Sequence, residues 1–120
     1  MRILLTVLFS LCVPLMGADK KELKQLDVET KKFFESFSKA LEKQDAAEAV
    51  MHIAPKYREG FRKGYRFWRG TKLSALKVLG LPDKEDVLRV QTQIESPSGR
   101  KDIEIKKLLH IKGKWFLLER

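Results

Sequence analysis

Residues 57–70 read YREGFRKGYRFWRG and carry five aromatic and five cationic side chains. Guanidinium groups bind phosphate, sulfate and carboxylate groups through paired hydrogen bonds. Exposed aromatic rings beside them can contact lipid, glycan or a partner protein. Aromatic and cationic side chains are more concentrated here than elsewhere in the sequence. We therefore predict that this segment forms a binding surface for an anionic partner.

The spacing of these residues separates rings from arginines. On a helix with about 100° per residue, one stripe contains Tyr57, Phe61, Tyr65 and Trp68. A second stripe beside it contains Arg58, Arg62, Arg66 and Arg69. Phe67 lies apart from both. We predict a short helix from about Glu59 to Trp68, and a strand over the same residues is the alternative.

The two stripes allow a structural and a functional interpretation. In the structural one, the rings pack against a sheet while the arginine stems cover apolar surface and keep their charges in water. In the functional one, the arginines bind an anion. The interpretations are compatible if the rings point inward and the arginines outward. The predicted anion-binding or partner-binding residues are therefore Arg58, Arg62, Arg66, Arg69 and Lys63.

The first residues of the chain have the order of a secretory signal peptide. Arg2 is followed by an almost wholly apolar run over residues 3–16, and then by the small residues Gly17 and Ala18. The run is too short for a spanning helix of about 20 apolar residues. Cys12 follows Leu11 rather than a small residue, which disfavours a lipoprotein. We predict a cleaved leader over residues 1–18 and a periplasmic or secreted protein.

Residues 19–120 are of a length that suits one domain. Cys12 is the single cysteine of the chain, so the predicted mature protein has neither a disulfide nor a thiol nucleophile. The formal net charge of the full chain is +9, which favours anionic partners. Outside the cytoplasm, a partner protein or an anionic envelope component is favoured over nucleic acid.

Helical patterns come first in the predicted mature chain. Apolar residues recur at intervals of three and four through residues 20–44, which predicts a long amphipathic helix. Asp45 is placed to cap a second helix, with Glu48 completing a capping box. Pro55 then ends or kinks that helix.

Strand patterns follow from residue 73. We predict strands at 73–79, 87–95, 100–111 and 115–119, joined by turns at 96–99 and 112–114. In the third strand, the apolar residues Ile103, Ile105, Leu109 and Ile111 predict the core-facing side, with a bulge near Lys106–Lys107. The predicted fold class is α+β: N-terminal helices, two long or medium and one short, pack on a curved antiparallel sheet of about four strands.

The order of elements resembles the nuclear-transport-factor-2-like superfamily of cystatin-like cones. The likeness rests on the break LEKQDAAEAV, on IAPKYREG after it, and on the ending LLHIKGKWFLLE. It implies one domain over residues 19–120 with a pocket between sheet and helices. Candidate pocket-lining residues are Phe33, Phe37, Tyr65, Trp68, Thr92 and Trp115. The resemblance implies no particular activity, because the same cone hosts enzymes and adaptors.

Motifs of catalysis are missing from the sequence. Asp102, Glu104 and His110 share one side of the third strand, opposite the isoleucines, and are therefore predicted to face outward. No catalytic residue, metal site or cofactor is predicted, so we expect a non-catalytic binding or accessory domain. Two alternatives remain: a cone that holds an apolar small molecule, and an isomerase or lyase that uses the interior pocket. Exposed sheet edges also allow a homodimer.

Overall fold

The computed structural model describes the backbone of residues 12–118 and the side chains of residues 20–118. Four helices precede four strands in this part of the chain. The helices are α1 (Cys12–Glu42), α2 (Ala46–Val50), α3 (Arg58–Lys63) and α4 (Tyr65–Trp68), with a 3-10 turn at Pro55–Tyr57. The strands are β1 (Lys72–Val78), β2 (Val87–Glu95), β3 (Lys101–Ile111) and β4 (Lys114–Leu117). They form one antiparallel sheet in the order β1-β2-β3-β4. The predicted α+β class is confirmed.

Helix α1 supplies one side of the core. Its apolar stripe is buried, as the spacing predicted, and it includes Leu26, Phe34, Phe37 and Leu41. The buried apolar residues of the described chain lie between Leu26 and Leu117. A chain that begins at Asp19 therefore keeps this core. Residues 1–11 of the predicted leader lie outside the described residues, as do the side chains of residues 12–18.

Side chains of helix α1 also form hydrogen bonds with backbone groups on the free edge of β1. The hydroxyl of Ser38 donates to the carbonyl of Leu73 at 2.8 Å and accepts the Leu73 N–H at 2.7 Å. Further along the helix, a carboxylate oxygen of Asp27 accepts the Val78 N–H at 3.3 Å. Unpaired strand edges are open to pairing with other chains, so these contacts help to close this edge.

The segment after α1 covers the opposite edge. Asp45 caps α2 by accepting the Glu48 N–H at 3.1 Å, as predicted. The other half of the capping box is not made, because the Asp45 N–H donates to the carbonyl of Ala40 instead. Helix α2 has only five residues, shorter than the medium helix that was predicted. The chain then runs beside β4, where the Ala54 N–H donates to the carbonyl of Leu117 at 2.9 Å.

The prediction for the two faces of β3 is wrong. The pairing of β2 with β3 continues without a bulge from Val87↔Leu109 to Glu95↔Lys101. This register places Leu108 and Lys106 opposite the buried Leu88 and Val90. Ile103 and Ile105 consequently lie on the outer face, where they are 61% and 58% exposed. A bulge occurs instead in β1, between Ala75 and Lys77.

Candidate anion-binding surface

The aromatic-cationic segment folds into two short helices rather than one. Gly64 separates α3 from α4 with φ −98° and ψ 11°, outside the helical region. Its N–H still donates to the carbonyl of Gly60 at 3.1 Å. Glycine lowers helix stability by roughly 1 kcal/mol relative to alanine, which explains a break at this position. The predicted helix over Glu59–Trp68 is thus present in two pieces.

The aromatic stripe points inward. Phe61 is 2% exposed, and its ring centroid lies 5.6 Å from that of Trp68 and 6.0 Å from that of Tyr65. The Trp68 ring in turn lies 5.8 Å from Phe37 of α1. Tyr57 packs against the same core. These contacts anchor both short helices, so their outer side is fixed relative to the domain.

Three exposed arginines lie on α3, on α4 and directly after α4. Arg62, Arg66 and Arg69 are all exposed. Within the residues whose side chains are described, no carboxylate oxygen lies within 4.0 Å of their guanidinium nitrogens. Phe67 is 75% exposed, and the Arg66 guanidinium lies 4.9 Å from its ring centroid. We call Arg62, Arg66, Phe67 and Arg69 the arginine surface.

Two other predicted binding residues are partly engaged by the protein itself. Lys63 forms an exposed ion pair with Glu59 at 3.7 Å. Arg58 is half-buried, and its Nε–H donates to the carbonyl of Ile53 at 2.9 Å. Its guanidinium carbon lies 5.8 Å from the ring centroid of Phe116. The helical wheel placed Arg58 with the other arginines, whereas the structure directs it towards β4.

The candidate pocket residues do not share one cavity. Phe37 is fully buried in the core. Thr92 is buried as well, and its hydroxyl donates to the carbonyl of Glu104 at 2.9 Å. Tyr65 and Trp68 pack around Phe61, as described above. Phe33 and Trp115 line a common cavity of about 460 Å³ between α1 and β4. An interior cone pocket lined by all six residues is therefore not formed.

The inner face of β3 carries polar residues, among them Glu104, which the sequence predicted to face outward. Lys106 is 9% exposed, pairs with Glu104 at 3.2 Å and lies 5.3 Å from the ring centroid of Trp68. The Tyr65 hydroxyl is buried and has no hydrogen-bond partner among the described residues. The alternation of apolar and polar residues along β3 did not predict this cluster. The register between β3 and β2 determines which side chains of β3 face inward.

The remaining polar residues of this face are engaged separately. Asp102 pairs with Arg100 at 3.3 Å. The His110 ring lies 4.5 Å from the Trp115 ring. Away from β3, His52 lies within 3.1 Å of the Glu48 carbonyl through Nδ1 and 3.0 Å of the Ser36 hydroxyl through Nε2. These contacts give each group a structural partner.

Glu29 is the α1 carboxylate that holds Trp115 in place. The indole N–H donates to Glu29 Oε1 at 2.8 Å, and this hydrogen bond keeps the pKa of Glu29 below its usual range. Burial opposes this lowering of the pKa, and a hydrogen bond from Gln25 adds to the lowering with a smaller effect than that of burial. A lowered pKa means that the ionised form stabilises the fold.

We therefore expect acid to destabilise the domain partly through Glu29. The contribution is complete above the unfolded-state pKa of about 4.3, and it is lost as pH falls through the lower folded-state pKa. Glu29→Gln should lose less unfolding free energy than the parent between about pH 6 and about pH 3 in urea titrations. The pKa of Asp83 is also lowered, by the backbone N–H groups of Val87 and Glu85, but this contribution cancels in the comparison. Equal losses for both proteins would contradict the assignment.

Comparisons with known proteins found similarity to a solved structure but no match to a family model or to a curated protein. Among the described residues, none of the helices is both long enough and apolar enough to cross a membrane. A solved structure from Nostoc punctiforme, described as a protein of unknown function with a cystatin-like fold, is similar with 17% identity and a TM-score of 0.49. The similarity covers 76% of this chain and 84% of that one.

Proposed function

We propose that this protein is an exported, non-catalytic domain that binds an anionic lipid surface through the arginine surface. The observation that carries the proposal is that Arg62, Arg66 and Arg69 are all exposed and that the Arg66 guanidinium lies against the exposed ring of Phe67. Export through the predicted leader would bring the domain to the envelope, where anionic phospholipid headgroups are abundant.

The charge of the arginine surface supports a lipid headgroup as the ligand. Each basic residue near an anionic membrane surface contributes about 1 kcal/mol. Arg62, Arg66 and Arg69 together would therefore favour anionic over neutral membranes by about 100-fold. The guanidinium group can also make two parallel hydrogen bonds to a phosphate.

The exposed ring of Phe67 supports a membrane rather than a soluble anion. Burial of a phenylalanine side chain in an apolar environment contributes about 2 kcal/mol. Phe67 lies next to Arg66 in the sequence, so insertion of the ring at the headgroup boundary would bring the guanidinium to phosphate level. Phe61 is buried and Trp68 partly buried in the core, and this packing leaves Phe67 and Arg66 exposed.

Vesicle sedimentation tests the proposal. A chain beginning at Asp19 should bind vesicles with about 30% phosphatidylglycerol at least about 30-fold more tightly than pure phosphatidylcholine vesicles. Binding should weaken by about tenfold when salt rises from about 0.05 M to about 0.5 M, because the Debye length shortens. Equal binding to both vesicle types would contradict the proposal. Binding to soluble polyglutamate but not to the vesicles would indicate an acidic protein partner instead.

A further inference from the structure

The cavity between α1 and β4 differs from the arginine surface in position and chemistry. Its volume is about 460 Å³, which falls within the usual range for small-molecule sites. Three cationic side chains border it: Lys32, Arg58 and Lys114. Three aromatic side chains form walls: Phe33, Trp115 and Phe116. No carboxylate belongs to its described lining.

The cations of this cavity are available to a ligand. Lys32 and Lys114 are exposed and have no carboxylate partner within 4.0 Å among the described side chains. Arg58 uses Nε–H for the carbonyl of Ile53. Its terminal nitrogens make no hydrogen bond to the described part of the chain. A guanidinium that is fixed through Nε can present those nitrogens to an anion without further loss of side-chain freedom.

The aromatic walls are held in place by contacts outside the cavity. Trp115 is fixed by its indole hydrogen bond to Glu29 and by contact with the tilted ring of His110. Phe33 packs edge-on against Phe34, with ring centroids 5.1 Å apart. Rigid rings lower the entropic cost of binding a flat apolar molecule.

We propose that this cavity binds a small organic anion with a planar apolar body, such as an aromatic carboxylate. The anionic group would interact with Arg58, Lys32 and Lys114, while the body would lie between Phe33 and Trp115. The uniform charge of the lining distinguishes this ligand class from a purely apolar molecule. The proposal is independent of lipid binding, since the arginine surface does not border the cavity.

Naphthylacetate and its neutral analogue naphthylacetamide provide a matched pair of probes. The acid should shift the Trp115 indole N–H resonance in two-dimensional NMR and leave that of Trp68 nearly unchanged. Charge-assisted hydrogen bonds should make the acid bind about 10- to 100-fold more tightly than the amide. Equal affinities would overturn the anionic class, and a shift at Trp68 alone would overturn the site.

Charge-neutralising variants test the residues. Lys32→Gln combined with Lys114→Gln should weaken naphthylacetate binding by about tenfold or more, with little effect on folding because both side chains are exposed. The lysines are replaced rather than Arg58, because replacement of Arg58 would also remove its hydrogen bond to the carbonyl of Ile53. Arg62→Glu combined with Arg66→Glu should leave naphthylacetate affinity unchanged within about twofold. Retention of full affinity in the double lysine variant would overturn the proposal.

Discussion

Replacement of Leu108 by glutamate should leave the domain unfolded at neutral pH, whereas the same change at Ile105 should cost no more than about 1 kcal/mol. Leu108 is fully buried and lies opposite Leu88 on β2 and Leu117 on β4. An unpaired carboxylate at this site would cost several kcal/mol, which is comparable with the total stability of about 5–15 kcal/mol for a small domain. Ile105 projects into solvent beside Gln91.

Far-UV circular dichroism and urea unfolding of the two variants provide the measurement. The expected pattern is loss of cooperative unfolding for Leu108→Glu and a near-parental midpoint for Ile105→Glu. The opposite pattern would mean that the isoleucines of β3 face the core, as the apolar count in the sequence indicated. The comparison is internally controlled, because both variants introduce the same side chain into the same strand.

The error in β3 has a physical origin. Alternation within one strand identifies two sides but does not determine which side faces the core when both contain apolar residues. Lys106 contributes its aliphatic stem to the inner face while its charge pairs with Glu104, so a lysine occupies a position where the pattern required an apolar residue. The decisive information is the register with β2, which depends on the turn at 96–99 and on the helix packed above.

Replacement of Phe37 by alanine should destabilise the domain by about 3–5 kcal/mol. Phe37 is fully buried, and its ring lies within about 6 Å of four other rings: Phe33 and His52 on one side, Phe61 and Trp68 on the other. Loss of the ring would remove packing contacts that hold α3 and α4 against α1. For a domain of this size, the midpoint of thermal unfolding should fall by at least about 12 °C.

Phe67→Ala is the matched control for this prediction. It removes the same ring from a side chain that is mostly in solvent, so no cavity forms and the midpoint should change by less than about 4 °C. Differential scanning calorimetry on the two variants makes the comparison. Equal effects would show that Phe37 is not the central packing residue of the aromatic cluster.

Local signals in the sequence predicted the parts of the fold that local physics determines. The Asp45 cap depends on residues within one turn. The turn at Lys112–Gly113 has positive φ at both residues, 47° and 83°, as a tight hairpin connection requires. The inward direction of Phe61 and Trp68 followed from helical spacing, even though Gly64 divides the helix.

Tertiary contacts determined the parts that the sequence did not predict. Arg58 has helical spacing with Arg62 and Arg66, but the carbonyl of Ile53 and the ring of Phe116 hold it at a different site. The cavity between α1 and β4 joins residues far apart in the chain, such as Lys32 and Lys114. Neither the spacing of residues nor the composition predicts that these side chains lie close together.

Charge reversal on the arginine surface tests the central claim most directly. Arg62→Glu with Arg66→Glu is compared with Lys24→Glu plus Lys84→Glu, which changes net charge equally at exposed positions on α1 and in the β1–β2 loop. At low salt, the arginine variant should bind anionic vesicles at least about 30-fold more weakly than the parent, and the lysine variant within about threefold of it. Equal weakening of both variants, or unchanged binding of the arginine variant, would contradict a lipid-binding role for this surface.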